Sequence, residues 1–196
     1  MAEGSDKMQQ RRRVRMAPAE RREKILAAAA DMFQRHGYAG ASIDAIAAAS
    51  GISGPGIYRY FGGKTELLLA LLEAAAAQAV AAVEAAIASD EGPPAARRMA
   101  DVLADHALIE GPIVALLQNG VGDMDAMGKA RLEHLRSDVV ARLVASLQAA
   151  SPTFEPGHAE ARIVAALAVV GQVERILATA NGPIVFRQVI RSVLDA

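Results

Sequence analysis

Alanine is the most frequent residue of this chain, with 44 of its 196 positions, and this excess limits the folds that the chain can adopt. Alanine has the highest intrinsic helix propensity, whereas strands favour β-branched and aromatic residues. Aromatic residues make up only 4% of the chain, and tryptophan is absent. No segment shows the apolar and polar alternation of a half-buried strand. The sequence therefore predicts an all-α fold and disfavours a β-sandwich or a β-barrel.

The absence of cysteine and the positions of charged residues disfavour several kinds of chemistry, secretion and a membrane span. Cysteine is absent, which excludes a disulfide scaffold, a thiolate zinc site and cysteine catalysis. The start of the chain is basic and polar, unlike a secretory signal. The most apolar run, residues 67–88, carries Glu73 and Glu84 on one face, which is typical of a long soluble helix rather than a membrane span. We therefore expect a cytoplasmic protein with no membrane partner.

Charge is distributed unevenly along the chain. Residues 1–70 contain 11 Lys and Arg and 7 Asp and Glu, a net charge of +4, whereas residues 71–196 contain 10 and 15, a net charge of −5. The basic residues near the start are Lys7, Arg11, Arg12, Arg13, Arg15, Arg21, Arg22 and Lys24. A basic end on an acidic body indicates that this end binds a polyanion, and the alternative is a solvated tail. We expect residues 1–16 to form a disordered basic arm.

Helical periodicity and turn residues divide the rest of the chain into about nine helices. The predicted helices cover residues 18–36, 43–50, 54–60, 64–88, 95–110, 112–119, 125–150, 158–181 and 183–194. Gly37 is expected to end the first helix, and Ser42 and Ser53 are expected to cap the second and the third.

The second and third helices are short and are separated by a turn at residues 51–53, which predicts a helix-turn-helix unit. Gly51 permits a backbone conformation in this turn that a side chain would crowd. The exposed side of the third helix carries residues that are short, or polar and planar, and that suit contacts with a DNA groove and with phosphates. These residues are Ser53, Gly54, Gly56, Tyr58, Arg59 and Tyr60.

Many residues of this region lie at fixed spacings. The run is Gly37-Tyr38-x-x-Ala41-Ser42-Ile43-x-x-Ile46-Ala47-x-x-Ser50-Gly51-Ile52-Ser53-x-x-x-Ile57-Tyr58-x-Tyr60-Phe61-x-x-Lys64-x-x-Leu67. It resembles the N-terminal DNA-binding domain of the tetracycline-repressor (TetR) family, and the resemblance extends over residues 19–79. The resemblance implies a DNA-binding domain at residues 17–64. It also implies a ligand-binding and dimerisation domain, built as a helical bundle, at residues 65–196.

The resemblance further implies roles for single residues. Residues 54–60 are expected to form the recognition helix in the major groove of double-stranded operator DNA. The expected contacts to phosphates, thymine methyl groups or the DNA backbone come from Ser42, Ser53, Tyr58, Tyr60 and Lys64.

Two departures from the family pattern affect how the protein would recognise a DNA sequence. Tyr60 stands where the family often has histidine, so this position keeps a hydrogen-bond donor and loses a titratable cation. Gly54 and Gly56 leave little side chain for reading bases. More of the specificity is therefore expected from Arg59 or from the arm, which could enter the minor groove through Arg11, Arg12, Arg13 and Arg15. The alternatives are a core role for Tyr58 and a solvated Arg59.

A short recognition helix reads few base pairs, so we expect a two-fold homodimer that reads two half-sites. Apolar residues at steps of three and four along the predicted helix 158–181 form a heptad-like seam, and the last helix can complete a four-helix interface. The candidate interface residues are Ile163, Ala166, Val170, Val173, Leu177, Ile184 and Val189. The alternative is that helix 158–181 is a core helix of a monomer.

The resemblance also implies a small-molecule effector that binds in the C-terminal bundle. Candidate contacts are the polar residues and methionines on otherwise apolar helices, namely His106, Gln118, Asn119, Met127, His134 and Gln172. Fatty-acid-like, aromatic, drug-like and coenzyme-A-linked effectors all remain open. For each histidine, the alternative is a surface position.

No catalytic residue, cofactor or metal site is predicted. A carboxylate-bridged metal bundle needs two Glu-x-x-His motifs on helices, and a single such motif occurs, at residues 155–158 among helix breakers. We therefore expect a TetR-like transcriptional regulator, most often a repressor in this family, that leaves its operator when the effector binds. The alternative is a DNA-binding dimer without an effector pocket.

Overall fold

The computed structural model describes residues 17–88, 92–119, 124–152 and 155–195, and for residues 111–119 and 156 it describes the backbone alone. Within these ranges the chain forms nine helices and no strand, which confirms the predicted all-α fold. The helices are α1 Pro18–Gly40, α2 Ile43–Ser50, α3 Gly54–Ile57, α4 Lys64–Ile87, α5 Ala95–Asn119, α6 Ala126–Ala150, α7 Pro156–Val170, α8 Val173–Leu177 and α9 Gly182–Asp195.

The first helix runs past its predicted end. Gly37 has a φ of 67°, in the left-handed region, so the regular helix is interrupted there as expected. Helical backbone then resumes and continues to Gly40. Ser42 caps α2 as predicted, because its hydroxyl oxygen accepts a hydrogen bond from the amide of Ala45 at 3.1 Å.

The third helix is shorter than predicted, and its predicted cap is wrong. Regular helix ends at Ile57, and residues 58–60 form a turn in which the amide of Tyr60 donates to the carbonyl of Ile57 at 2.8 Å. The side chain of Ser53 makes no capping hydrogen bond. Its carbonyl accepts from the amide of Gly56 at 2.7 Å instead. Two glycines and a proline in four residues have low helix propensity, which explains the short element.

Two hydrophobic cores lie one after the other along α4. The first contains the buried sides of α1, α2 and α3 and residues 67–72 of α4, and it also takes in Met124 and Leu132 from the α6 region. The second contains the distal half of α4 with α5, α6, α7 and α9. Because α4 belongs to both cores, the packing is continuous across residues 64 and 65. The domain division at that point stays a prediction.

By length and composition, α4 could cross a membrane. Residues 67–72 are nevertheless buried in the first core, and Val80, Val83 and Ile87 are buried in the second. This burial fits the core helix of a soluble protein.

Two predicted boundaries in the C-terminal part are wrong. The predicted helices 95–110 and 112–119 form one continuous helix, α5, because a proline removes only one backbone hydrogen bond and the flanking residues favour helix. The predicted helix 158–181 is divided by a turn at Gly171 and Gln172, where the amide of Gln172 donates to the carbonyl of Val169 at 2.9 Å. Glycine has low helix propensity, which accounts for the break.

Three ion pairs join α5 to α9, and their spacing shows that the two helices run antiparallel. Arg97 pairs with Asp195 at 3.6 Å, and the next pairs along are Asp101 with Arg191 and Asp105 with Arg187. The hydrogen bond and the negative charge of Asp101 raise the pKa of the Arg191 guanidinium.

Arg98 of α5 caps the C-terminus of α4. Its guanidinium donates to the carbonyl of Ala86 at 2.9 Å and to that of Ile87 at 3.3 Å. These carbonyls have no partner within their own helix, so the cation satisfies the C-terminus of α4.

Candidate functional site

The helix-turn-helix unit is held by a small buried core. Ile46 and Ala47 of α2 and Ile57 of α3 are buried against Phe33 of α1. Gly51 adopts a φ of 69° at the end of α2, and the amide of the next residue, Ile52, donates to the carbonyl of Ala47 at 3.0 Å. These contacts fix how α3 is presented at the surface.

The surface of this unit carries most of the residues predicted to bind DNA. Tyr58 is 59% exposed, which contradicts the alternative of a core role for this residue. Ser42, Ser53 and Arg59 are also exposed, while Tyr60 is half-buried against the first core.

The two glycines of α3 have a packing role. A Cβ at Gly56 would lie 2.7 Å from Cγ2 of Ile52 and 3.0 Å from Oγ of Ser53, so α3 lies against its own turn at this point. A Cβ at Gly54 would lie 3.1 Å from a carboxylate oxygen of Asp44. This packing role was not predicted, because internal contacts across a turn leave no local sequence signal.

Lys64 lies at the N-terminus of α4, next to the end of α1. Its Nζ is 4.4 Å from the centroid of the Tyr38 ring and donates to the carbonyl of Ala39 at 3.4 Å. The Tyr38 hydroxyl and Oγ1 of Thr65 are 2.8 Å apart and hydrogen-bonded, which ties α1 to α4. Tyr38 belongs to the run that resembles the family, and this contact was not predicted from it.

Thr65 also contacts α6. A Cβ at Gly128 would lie 2.6 Å from Cγ2 of Thr65, so only glycine allows this approach of α6 to α4. The start of α4 is therefore in contact with both α1 and α6.

The predicted arm residues Arg11, Arg12, Arg13 and Arg15 lie outside the described residues. The arm is followed by the first turns of α1, where the Arg22 guanidinium lies 5.0 Å from the centroid of the Phe61 ring. The start of α1 is therefore close to the end of the helix-turn-helix unit.

A cavity of about 780 Å³ lies between α4, α5, α6 and α7. Its walls are mainly alanine, valine and leucine side chains, such as Ala76 and Val80 of α4 and Leu167 of α7. The polar residues that line it are His106, Glu110, Glu133, Arg136, Ser137 and Glu160. This volume lies within the usual range for small-molecule sites, and apolar walls with a few polar groups are typical of them.

The predicted ligand contacts lie at different places relative to this cavity. His106 lines it, whereas Met127, His134 and Gln172 do not. Met127 is 72% exposed in the first turn of α6, and the exposed His134 lies 3.4 Å from Asp138. Gln118 and Asn119 belong to the last turn of α5, in the stretch described by its backbone alone.

The predicted dimer seam lies largely inside the chain's own core. Ile163, Ala166, Val170 and Val173 are buried there, and the partly buried Leu177 packs against the same core. A core stripe and a coiled-coil seam have the same spacing along a helix, so the sequence pattern could not separate them.

The outer face of α7 and α9 carries a different set of residues. On α7 it contains the exposed small residues Ala161 and Ala165. On α9, Ile184 is 59% exposed and Val185 is 38% exposed. Ile184 therefore remains available to a partner, whereas Val189, of the same helix, is half-buried.

Sequence comparison assigns the N-terminal part to a family. The family model of bacterial regulatory proteins of the tetR family matches residues 25–71, which include the whole helix-turn-helix unit. A curated relative, the HTH-type transcriptional activator FasR of Mycolicibacterium smegmatis, is 43% identical over 63 residues. This match covers 32% of the chain and 29% of the relative, so it spans less than a third of that protein's length.

Solved structures of regulators are similar in fold to most of this chain. The TetR-family regulator PfmR of Thermus thermophilus aligns with a TM-score of 0.66 at 24% identity, over 88% of this chain and 97% of that chain. FadR of Bacillus subtilis, in complex with stearoyl-CoA, aligns with a TM-score of 0.70 at 16% identity, over 88% and 97%. At these identities the likeness is one of fold.

These findings agree with the geometry of the N-terminal unit. The family model matches the region in which α2 and α3 pack into one core and carry exposed polar residues. The helices that follow have the arrangement of the regulators that share this unit. Residues 25–71 therefore match the tetR family of bacterial regulatory proteins, and the described residues have a fold similar to that of a TetR-family regulator.

Proposed function

We propose that the chain binds inverted-repeat operator DNA as a homodimer, and that it releases the operator when a small molecule occupies the cavity. The observation that carries this proposal is the course of α4, which lines the cavity with Ala76 and Val80 and begins at Lys64 beside the helix-turn-helix unit. A ligand that prefers one position of α4 would favour one spacing of the two recognition helices in a dimer.

The proposed DNA contacts fall into three groups. Tyr58, Arg59 and Tyr60 would reach bases or phosphates in the major groove. Ser42, Ser53 and Lys64 would contact the DNA backbone. The arm residues Arg11, Arg12, Arg13 and Arg15 would add contacts in the minor groove. Gly54 and Gly56 support these contacts by keeping α3 close to its turn.

Replacing Tyr58 or Lys64 with alanine is expected to weaken operator binding and to leave the fold intact. The exposed Tyr58 adds little to the core, and the interaction of Lys64 with Tyr38 is worth about 0.5–1 kcal/mol at an exposed site. Loss of the Lys64 phosphate contact should reduce the salt slope of binding by about 1. Mobility shift with an operator selected from random DNA measures both effects.

The matched control for these variants is Arg175→Ala, because Arg175 is an exposed cation on α8, far along the chain from α3. Its affinity and salt slope should equal those of the wild type. Unchanged operator affinity in both the Tyr58 and the Lys64 variant would contradict the proposed interface.

Removal of residues 1–16 is expected to lower operator affinity and to flatten its salt dependence. The removed segment contains Lys7 and the four arm arginines, and basic contacts to phosphates release condensed counterions. Affinity is measured from about 50 to 200 mM salt, over which such contacts have large effects. A truncated chain with the wild-type slope would show that the arm does not contact the DNA.

We propose that effector binding is transmitted through α4 and α6 together. Both helices line the cavity, and both meet at Thr65, which contacts Gly128 of α6 and is hydrogen-bonded to Tyr38 of α1. Two further ion pairs join the helices, Glu73 with Arg131 at 3.2 Å and Glu84 with Arg142 at 2.9 Å. A shift of either helix would therefore reach the helix-turn-helix unit.

We propose that the chain represses transcription of the genes behind its operator. The curated relative FasR is named a transcriptional activator, so the direction requires a measurement on this chain. A reporter gene placed behind the selected operator should be expressed less when the chain is present. An effector-independent regulator would keep the reporter at one level whatever small molecule is added.

A further inference from the structure

We propose that Asp44, on the exposed side of α2, reads a cytosine in each half-site of the operator. This inference rests on the proposed function, in which the helix-turn-helix unit lies in the major groove of operator DNA. Asp44 was not among the residues predicted to bind DNA. Its position beside α3 and the chemistry of its carboxylate both point to a contact with a base.

The Asp44 carboxylate lies next to the first residue of α3. A Cβ at Gly54 would lie 3.1 Å from one of the carboxylate oxygens, so this group takes part of the space that a side chain at residue 54 would fill. The first residues of a recognition helix are those that meet base edges in the major groove. Gly54 has no side chain for that contact, and Asp44 therefore places a polar group where the glycine leaves none.

The carboxylate of Asp44 is available to a new partner. Asp44 is exposed, and within the part of the chain that the structure describes its side chain has neither an ion pair nor a hydrogen bond. The backbone around it is held in place, because Ser42 caps α2 through the amide of Ala45 and Ile46 is buried in the first core. A contact with a base would therefore order little more than the side chain of Asp44 itself.

An ionised carboxylate only accepts hydrogen bonds, and this property discriminates among the four bases. In the major groove cytosine presents its N4 amino donor, whereas guanine presents the N7 and O6 acceptors and thymine presents the O4 acceptor. Adenine presents an amino donor beside the N7 acceptor. Cytosine is therefore the base that Asp44 can bond without facing an acceptor, and the carboxylate disfavours the other base edges by repulsion.

A purely structural role for Asp44 leads to a different expectation. A carboxylate in the first turn of α2 also stabilises the positive end of the helix dipole. Loss of this effect would lower stability, or weaken binding to every DNA sequence alike, and would leave the order of preference among base pairs unchanged. A contact with a base changes which base pair is preferred at one position.

The test is the selection of operators from random duplex DNA by the full-length wild type and by the variants Asp44→Asn and Asp44→Ala. The wild type should require cytosine at one position of each half-site. Exchange of that base pair in one half-site should weaken its binding at least about fivefold. Asp44→Asn should prefer adenine at the same position, because a carboxamide bonds N6 and N7 of adenine together. Asp44→Ala should bind all four base pairs there about equally.

Removal of the Asp44 charge should have the opposite effect on DNA that contains no operator. Asp44→Ala should bind a scrambled duplex at least as tightly as the wild type does, because a carboxylate no longer lies near the phosphates. The matched control is Asp31→Asn, which removes one negative charge from α1, where Asp31 pairs with Arg35 at 2.8 Å. This control should keep the cytosine preference of the wild type.

The results that would overturn the inference differ in what they imply for the proposed function. The cytosine contact is refuted if the wild type tolerates exchange of every cytosine in its selected operator, or if Asp44→Asn selects the same operator as the wild type. Operator binding by the helix-turn-helix unit stands in both cases. If the wild type selects no operator at all, both the cytosine contact and the proposed DNA-binding function are wrong.

Discussion

Gly182→Ala is expected to destabilise the protein by about 1–3 kcal/mol, because the added methyl group would overlap rigid backbone. A Cβ at this position would lie 2.6 Å from Cα of Leu177 and 2.6 Å from the carbonyl oxygen of Ile176. These atoms belong to the end of α8, and they cannot move away as the tip of a flexible side chain could. The start of α9 would have to shift away from α8, which loosens Phe186 in the second core.

The matched control is Gly157→Ala in the first turn of α7. A Cβ at Gly157 meets no atom within 4 Å, so the substitution adds helix propensity at no steric cost. Urea unfolding followed by far-UV circular dichroism compares the two variants. Gly182→Ala should lower the urea midpoint. Gly157→Ala should leave the free energy of unfolding unchanged or raise it by less than about 1 kcal/mol. Equal midpoints would show that α9 does not lie against α8 as described.

Ile184→Glu is expected to abolish the proposed dimer and to lower operator affinity by at least about a hundredfold. Ile184 is exposed near the start of α9, a helix that packs against α7, and this surface is where we place the second copy. A carboxylate there would be desolvated without a partner in an apolar interface, which is costly. A monomer presents one recognition helix, so it loses the contacts of the second half-site.

Ile109→Glu provides the control for this experiment. Ile109 is 72% exposed on α5, so the same substitution is made at another exposed isoleucine outside the face formed by α7 and α9. Sedimentation velocity should give a monomer for the Ile184 variant and a dimer for the Ile109 variant and the wild type. A dimeric Ile184→Glu chain with wild-type operator affinity would place the interface elsewhere, and a monomeric wild type would contradict the proposed dimer.

The sequence predicted the local features of this fold and missed those that depend on distant contacts. The alanine excess and the spacing of residues around Gly51 identified the helices and the helix-turn-helix unit, because helix propensity and turn chemistry act within a few residues. The break at Gly171 and the continuity of α5 through Pro112 were missed, because the propensity of a single glycine or proline does not decide whether a helix ends there.

The C-terminal sites illustrate the same limit. Ile163 and Ala166 follow a spacing that suits either a partner helix or the chain's own core, and only the folded chain distinguishes the two. The cavity is lined by residues from four helices, so no local pattern marks it. Glu110 and Glu160 line the cavity and were not among the predicted contacts.

The sharing of α4 and α6 between the two cores has a consequence for building hybrid regulators. A chimera joined at residue 64 would take Leu67 and Leu68 from one parent and the α1 and α2 side chains that bury them from the other. The same would apply to Met124 and Leu132, which enter the first core from far along the chain. To exchange operator specificity, a graft should therefore replace the exposed residues of α3 and its flanking turns, such as Ser53, Tyr58 and Arg59, and keep the parent's own α1, α4 and α6.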